Sequence, residues 1–373
     1  MKFTVLVTGG AGFIGSYVAD ELLAKGYRVR ALDNLSPQVH GPGARRPAYL
    51  DDRVELAVGD VRDERAVAEA LDGVDAVVHL AAAVGVGQSM YQIAEYTSVN
   101  NLGTAVLLQA LSERPVKRLV VASSMSIYGE GRYVDAGGVH HEQVERGIDQ
   151  LREGRWDPCD EAGQPLTPVA TPEHKQPALT SVYALSKYDQ ERLCLITGRA
   201  YGIPTVALRF FNTYGPRQAL ENPYTGVLAI FAARILNGRP PLIFEDGQQQ
   251  RDFVSVHDVA RACRLALEGD DAPGHVLNIG SGRPRSVAEV ASRISKVLGR
   301  PDLGSEITGR YRMGDIRHCY ADISRARRVI GYEPSVDLDA GLAELGRWLE
   351  RQRKTTDRSE QARRELESRG LTV

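Results

Sequence analysis

From Lys2 to Gly15 the chain reads KFTVLVTGGAGFIG, and no other stretch constrains its fold as tightly. Phe3 to Val7 is a short apolar run rich in β-branched residues, the texture of a buried parallel strand. It stops at Thr8-Gly9-Gly10, and a helical pattern starts at Phe13 and Ile14 and continues through Val18, Leu22 and Leu23. Gly9, Gly12 and Gly15 thus straddle a strand-to-helix junction. In a dinucleotide site the first allows the tight turn, the second lets a pyrophosphate approach the backbone, and the third lets helix and strand pack closely. The helix N-terminus then offers N–H groups and partial positive charge to phosphates. The second strand, Tyr27 to Asn34, ends in Asp33, about 20 residues beyond the glycines. A carboxylate there accepts hydrogen bonds from ribose hydroxyls and repels a 2′-phosphate, which favours NAD over NADP. Arg45 and Arg46 follow in a Gly/Pro-rich loop and are poorly placed to serve a phosphate.

The rest of the first half repeats this alternation. Residues 54–58, 74–80 and 117–122 read as further strands, with helices predicted over 63–71 and about 91–113. The pattern predicts an α/β fold with a Rossmann-type doubly wound parallel sheet. Gly9, Asp33, Asp60, Ala81 and Ser124 all follow strands and should converge on one crevice. Residues 130–180 break the rhythm. They are polar and Pro-rich, with one short helix expected near 141–152, and read either as a surface flap or as a lid or partner surface. His140, His141 and Cys159 fall there, but one cysteine and two adjacent histidines do not make a tetrahedral metal site, and none is expected. A helix from Ser181 to about Gly198 and a strand over 204–210 follow, and then a smaller mixed α/β domain. The domain reading is 1–180 for dinucleotide binding, insertion included, 181–350 for the Ser181 helix, the last sheet strands and the interleaved smaller domain, and 351–373 as a charged tail that frays.

Composition excludes several function classes. With 46 basic and 48 acidic residues among 373, the chain has no charge excess to attract nucleic acid or an anionic membrane. It contains no apolar run of the roughly 20 residues needed to span a bilayer. The first strand begins almost at Met1, leaving no room for a signal peptide. Cys159, Cys194, Cys263 and Cys319 are widely spaced, as in a reduced, cytoplasmic protein.

The chemistry lies in Tyr183-Ala-Leu-Ser-Lys187 and in Ser124. Tyr183 and Lys187 share one helix face. A phenol titrates near ~10 in isolation. A nearby ammonium, and the cationic nicotinamide ring, would favour the phenolate and make it a usable base. Ser124 would hydrogen-bond the reacting hydroxyl and relay its proton.

The runs TGGAGFIG, LDN, GDV, HLAA, SSMSIYG, YALSK, RFFNTYGPRQ, QRDFVSVHDV and YRMGDIRHCYAD together resemble the extended short-chain dehydrogenase/reductase family, in particular its NAD-dependent nucleotide-sugar epimerases and dehydratases. The resemblance covers roughly residues 3–350 outside the insertion. It implies NAD as cofactor and a nucleotide-diphosphate sugar as substrate. Phe13 and Ile14 would contact the pyrophosphate beside Gly9, Gly12 and Gly15. Asp33 and Asn34 would hold the adenosine ribose, and Asp60 and Val61 the adenine. Leu80, Ala81 and Ala82 would line the dinucleotide, with Asn100 in support. Tyr183 would be the base, and Lys187 would also bind the nicotinamide ribose. Phe211 and Asn212 would sit where cofactor meets substrate. Val84 to Ser89 would touch the sugar, with Ser124 and Ser126 nearby. Arg251 and Arg312 would grip the diphosphate, and Asp315 the nucleotide ribose. The family also implies a homodimer built on the helices near 91–113 and 181–198.

Family members that dehydrate the sugar carry Asp-Glu directly after the catalytic Ser/Thr, and decarboxylases keep the Glu. Here those positions are Met125 and Ser126. Without a carboxylate, elimination lacks its proton carrier, whereas inversion at the fourth carbon needs none. The expectation is therefore a 4-epimerase. The runs AAAVGVGQSMY, PYTGVLAIFAARILNGRPPLIFEDG and GDIRHCYADISRA resemble bacterial dTDP-L-rhamnose 4-epimerases. UDP-glucose or UDP-glucuronate epimerisation, dehydration or decarboxylation, and a non-catalytic NAD sensor or scaffold are the alternatives.

Overall fold

The computed structural model describes residues 3–222, 224, 226–312, 314–352 and 357–372. Lys2, Pro223, Thr225 and Met313 of the runs quoted above, and residues 353–356 of the tail, lie outside them. Seven parallel strands form the central sheet: β1 (Thr4–Thr8), β2 (Arg28–Asp33), β3 (Glu55–Val58), β4 (Ala76–His79), β5 (Arg118–Ser124), β6 (Thr205–Phe210) and β7 (Val276–Ile279). Their spatial order is β7-β6-β5-β4-β1-β2-β3. In register, Val7 lies beside Ala31 of β2 on one side and Val78 of β4 on the other. The order reverses between β1 and β4, which opens a crevice at their carboxyl ends. Strands covered on both faces are largely apolar, and β1 and β4 are buried along their whole length, their only polar side chains at the ends.

Helix α1 (Phe13–Ala24) and the helix Val256–Glu268 cover one face, packing Val18, Ala19 and Leu22 against Val259 and Ala262. Helices α2 (Glu64–Ala70), α3 (Gly103–Glu113) and α4 (Val182–Tyr201) cover the other, through Val67, Leu107, Leu111 and Cys194. The Ser181 side chain caps α4 by accepting from Ala184 N at 3.1 Å, and Gly202 ends it in the left-handed conformation at φ 68°. The single helix expected near 91–113 is instead interrupted by a π-helical turn over Thr97–Leu102, which carries Asn100. Such turns reorient a side chain that a regular helix would misplace.

The smaller lobe has its own core, formed by the helices Val227–Leu236, Val287–Val297 and Leu338–Leu349. Two expectations change. The 130–180 insertion holds an antiparallel three-stranded sheet, Arg132–Val134 with His140–His141 and Thr167–Val169, and its helix is only Ile148–Arg152. Beyond Arg351, where a fraying tail was expected, the residues Ser359–Ser368 form a helix that buries Ala362 and Leu366. Its i,i+4 ion pairs hid that narrow apolar stripe within a charged composition. No helix among the described residues is long and apolar enough to cross a membrane.

Candidate functional site

A cavity of about 740 Å³ opens at the carboxyl ends of the strands and runs from the glycine turn to the smaller lobe. The turn is built as the spacing predicts. Gly9 sits at φ +68°, and a Cβ on Gly15 would stand 2.1 Å from the Gly9 carbonyl oxygen, so α1 approaches the turn at a distance only glycine allows. Gly12 is the N-cap and supplies no side chain, so the first N–H groups of α1 face the cleft uncapped. Asp33 is buried, and its carboxylate accepts from Ala11 N at 3.0 Å and Leu35 N at 2.9 Å. The turn and the acid thereby fix each other. Arg46 is spent on the Val54 carbonyl at 3.1 Å, and neither it nor the exposed Arg45 lines the cavity. These features fit an NAD molecule lying across Gly9, Phe13, Ile14, Asp33, Asn34, Val61, Leu80, Ala81 and Ala82, all of which line the cavity. Asp60 lines it too, but Arg62 at 2.8 Å and Asn34 at 3.0 Å take its carboxylate and hold it well below the usual range.

Ser124 ends β5, and its Oγ donates to Ser126 Oγ and accepts from Ser126 N, both at 3.1 Å. Tyr183 and Lys187 face the same space from α4 and are almost fully buried. Burial raises the Tyr183 phenol, and a hydrogen bond with Ser124 opposes it. Lys187 lines the same cavity from one turn further along α4. Its Nζ donates to Gln190 Oε1 at 2.6 Å, and burial pushes it down to about 8. Gln190 continues to Thr104 Oγ1 at 2.8 Å; His79 Nε2 lies 3.0 Å from Thr104 and His79 Nδ1 2.7 Å from Thr8. A buried polar string therefore ties Lys187 to β1 and β4. Sequence reading missed it; the signals were Gln190, one turn beyond Lys187, and the histidine of HLAA.

Two expected contact residues stand behind the cavity wall. Asn100 is fully buried and bonds Ala83 N at 2.7 Å and Ser186 Oγ at 2.8 Å, bracing the turn after β4 against α4. Ser89 Oγ accepts from Tyr183 N at 3.0 Å and donates to the Val86 carbonyl at 2.6 Å, so it positions the tyrosine from behind. Val84 and Ser126 line the cavity, as do Phe211 and Asn212, and the buried Asn212 Oδ1 has no hydrogen-bond partner among the described residues. A buried acceptor of this kind suits a ligand hydroxyl.

At the far end lie Arg251, Arg312 and Asp315. Arg312 Nε bonds Asp315 Oδ2 at 2.9 Å, and its guanidinium lies 4.7 Å from the centre of the Phe244 ring. Arg251 donates to the Arg317 carbonyl at 2.9 Å and to that of Ile316. The insertion braces this loop. Arg146 donates to the Asp315 carbonyl at 2.9 Å and pairs with Glu245 at 2.7 Å, while buried Arg317 pairs with Asp157, Glu245 and Asp246. The insertion therefore buttresses the loop that carries Asp315. Its His141 is engaged by Asp135 at 3.0 Å.

The model of the NAD dependent epimerase/dehydratase family matches residues 5–150 and 158–280. A dTDP-L-rhamnose 4-epimerase of Burkholderia thailandensis is 35% identical over 92% of this chain and 94% of its own length. The UDP-glucose 4-epimerase of Thermotoga maritima, solved with UDP-glucose, superposes with a TM-score of 0.76 at 31% identity, covering 94% of this chain and 100% of that one. MoeE5, solved with UDP-glucuronic acid and NAD, gives a TM-score of 0.74 at 33% identity, covering 94% and 99%.

Proposed function

The chain belongs to the NAD dependent epimerase/dehydratase family, and on that premise we propose that it is a nucleotide-sugar 4-epimerase acting on a dTDP-6-deoxyhexose such as dTDP-L-rhamnose. The observation that carries the reaction class is the fate of the acids around the cleft. Met125 and Ser126 follow Ser124. The acids lining the cavity among the described residues are Asp33, Asp60, Glu95 and Asp315. The turn holds Asp33, Arg62 pairs with Asp60 and Glu95, and Arg312 pairs with Asp315. None stands beside Ser124 and Tyr183 to carry the protons of an elimination. The Burkholderia relative supports the dTDP sugar; the similar structures with UDP-glucose and UDP-glucuronic acid favour a UDP sugar as the second reading.

NAD, the cofactor of this family, supplies the hydride acceptor and donor for the sugar's fourth carbon. Tyr183, with Ser124 as relay, takes the proton of the fourth hydroxyl and returns it after the ring has turned. Lys187 contributes positive charge beside that proton transfer, and Gln190 fixes its direction. Arg251 and Arg312 hold the diphosphate, so the 4-keto sugar swings about its tether and presents its other face. A non-catalytic sensor has no need of Ser124, Tyr183 and Lys187 gathered in one cavity. The test is mass-neutral conversion of a nucleotide sugar to its fourth-carbon epimer without added cofactor. Loss of 18 or 44 mass units, for water or carbon dioxide, would contradict it.

The homodimer belongs to the same proposal. Ile93 and Leu102 precede α3, and Leu185 and Ile196 lie on α4; all four are exposed apolar side chains on the helices expected to pair. Sedimentation is expected to give twice the 40.8 kDa chain mass. A single-chain mass at micromolar concentration would count against the pairing.

A further inference from the structure

The helix Ser359–Ser368 lines the cavity with Ser359, Ala362, Arg363 and Leu366. At one end lies Arg234, on the helix Val227–Leu236, with a side chain only 3% exposed. Its guanidinium meets Glu360 at 3.1 Å and Ser359 Oγ at 3.2 Å. A buried cation needs such partners, so the helix completes the charge balance of the smaller lobe. At the other end, Arg310 bonds Glu367 at 2.9 Å and the Arg369 guanidinium lies 4.6 Å from the centre of the Tyr91 ring. Thr372 then forms an antiparallel bridge with Arg312. The segment is thus fastened to the lobe that carries the expected diphosphate grip and to the loop that follows β4.

Its buried apolar side chains also face inward. Ala362 and Leu366 line the cavity and are each 7% exposed. Leu366 lies so close to Gly87 that a Cβ there would stand 3.4 Å from its Cδ2. Gly87 belongs to the short helix Val86–Ser89, whose last residue holds Tyr183 N. Leu366 therefore adjoins the segment expected to touch the sugar. Arg363, which also lines the cavity, is paired with Glu360 at 2.9 Å, and Arg369, just past the helix, with Glu365 at 2.6 Å.

Resting on the epimerase reading, we propose that this helix is the sugar-facing wall of the substrate site, and that Leu366 selects a hexose with an apolar group on its fifth carbon over one with a carboxylate. A methyl group gains burial against Leu366. A carboxylate would lose its water there, and the cation beside it, Arg363, is already paired with Glu360 and Glu367.

The test uses the full chain with NAD bound and two probes that differ only in that substituent, dTDP-6-deoxyglucose and dTDP-glucuronate. Calorimetry is expected to show the 6-deoxy sugar binding about tenfold tighter or more. Leu366→Arg is expected to shrink that ratio by about tenfold, with bound NAD unchanged. Leu366→Ala, the milder change, is expected to lower affinity for the 6-deoxy sugar roughly threefold and serves if the arginine variant does not fold. Equal affinity for both sugars in the full chain, or a ratio untouched by either substitution, would overturn the wall. The expected preference without any fourth-carbon epimer would overturn the epimerase reading and leave the wall standing. Failure to bind either sugar would overturn both.

Discussion

Replacing Tyr183 with Phe is expected to lower turnover by about 10³-fold while leaving NAD bound, the range typical of losing a positioned general base. The substitution removes one oxygen and leaves the ring, which packs edge-on against Tyr96 with centroids 6.4 Å apart. It also leaves the backbone bond from Tyr183 N to Ser89. The fold and the glycine turn should therefore be intact, and the loss should appear in kcat more than in KM. Burial raises the phenol of Tyr183 in the protein alone. Its activation thus depends on charge brought close to it, from Lys187 and from the bound nicotinamide. Steady-state kinetics with the NAD content measured on the same sample check this. Turnover within about tenfold of the parent enzyme would remove Tyr183 from the role of base.

The second large effect lies at the opposite end of the cofactor cleft. Gly15→Ala places a methyl group 2.1 Å from the Gly9 carbonyl oxygen and 2.7 Å from Gly10 Cα. Both contacts are with backbone, which no rotamer change relieves, so α1 must move away from the turn. Overpacking of this kind costs roughly 3 kcal/mol. The cost is expected as a loss of NAD affinity of about 100-fold or as an equivalent loss of stability. Equilibrium dialysis against NAD and a thermal melt measure the two. Gly12→Ala is the milder contrast in the thermal melt, because its Cβ would meet Gly9 O at 3.3 Å, a contact relieved by a shift of a few tenths of an ångström. A Gly15→Ala protein with parental stability and NAD affinity would contradict the close packing.

The dinucleotide half was legible because its signals are local. A buried parallel strand must be apolar along its length, and the turn that follows must be glycine where helix and strand touch. Asp33, Tyr183 and Lys187 were legible for the same reason, each lying at a fixed offset from a recognisable element. Roles that depend on contacts remote in sequence were not. Ser89 lies 94 residues from Tyr183, yet its hydroxyl meets that residue's backbone. Gln190, three residues beyond Lys187, accepts from its ammonium, a contact that the YALSK run does not reveal. The insertion could be read either as a flap or as a lid or partner surface because its ion pairs are with Glu245, Asp246 and the 315–317 loop, and charge alone does not reveal its partners. The tail read as fraying because its apolar stripe is only Ala362 and Leu366, and the cleft it lines is assembled from the whole chain.

The central claim is that the fourth carbon is oxidised and reduced again within one turnover, with neither water nor carbon dioxide lost. Its most direct test is dTDP-L-rhamnose carrying deuterium at that carbon, incubated with the purified protein without added NAD and followed by NMR and mass spectrometry. The expected product has the inverted fourth carbon, its deuterium retained and its mass unchanged. Loss of 18 mass units, or inversion with the label washed out into solvent, would contradict it.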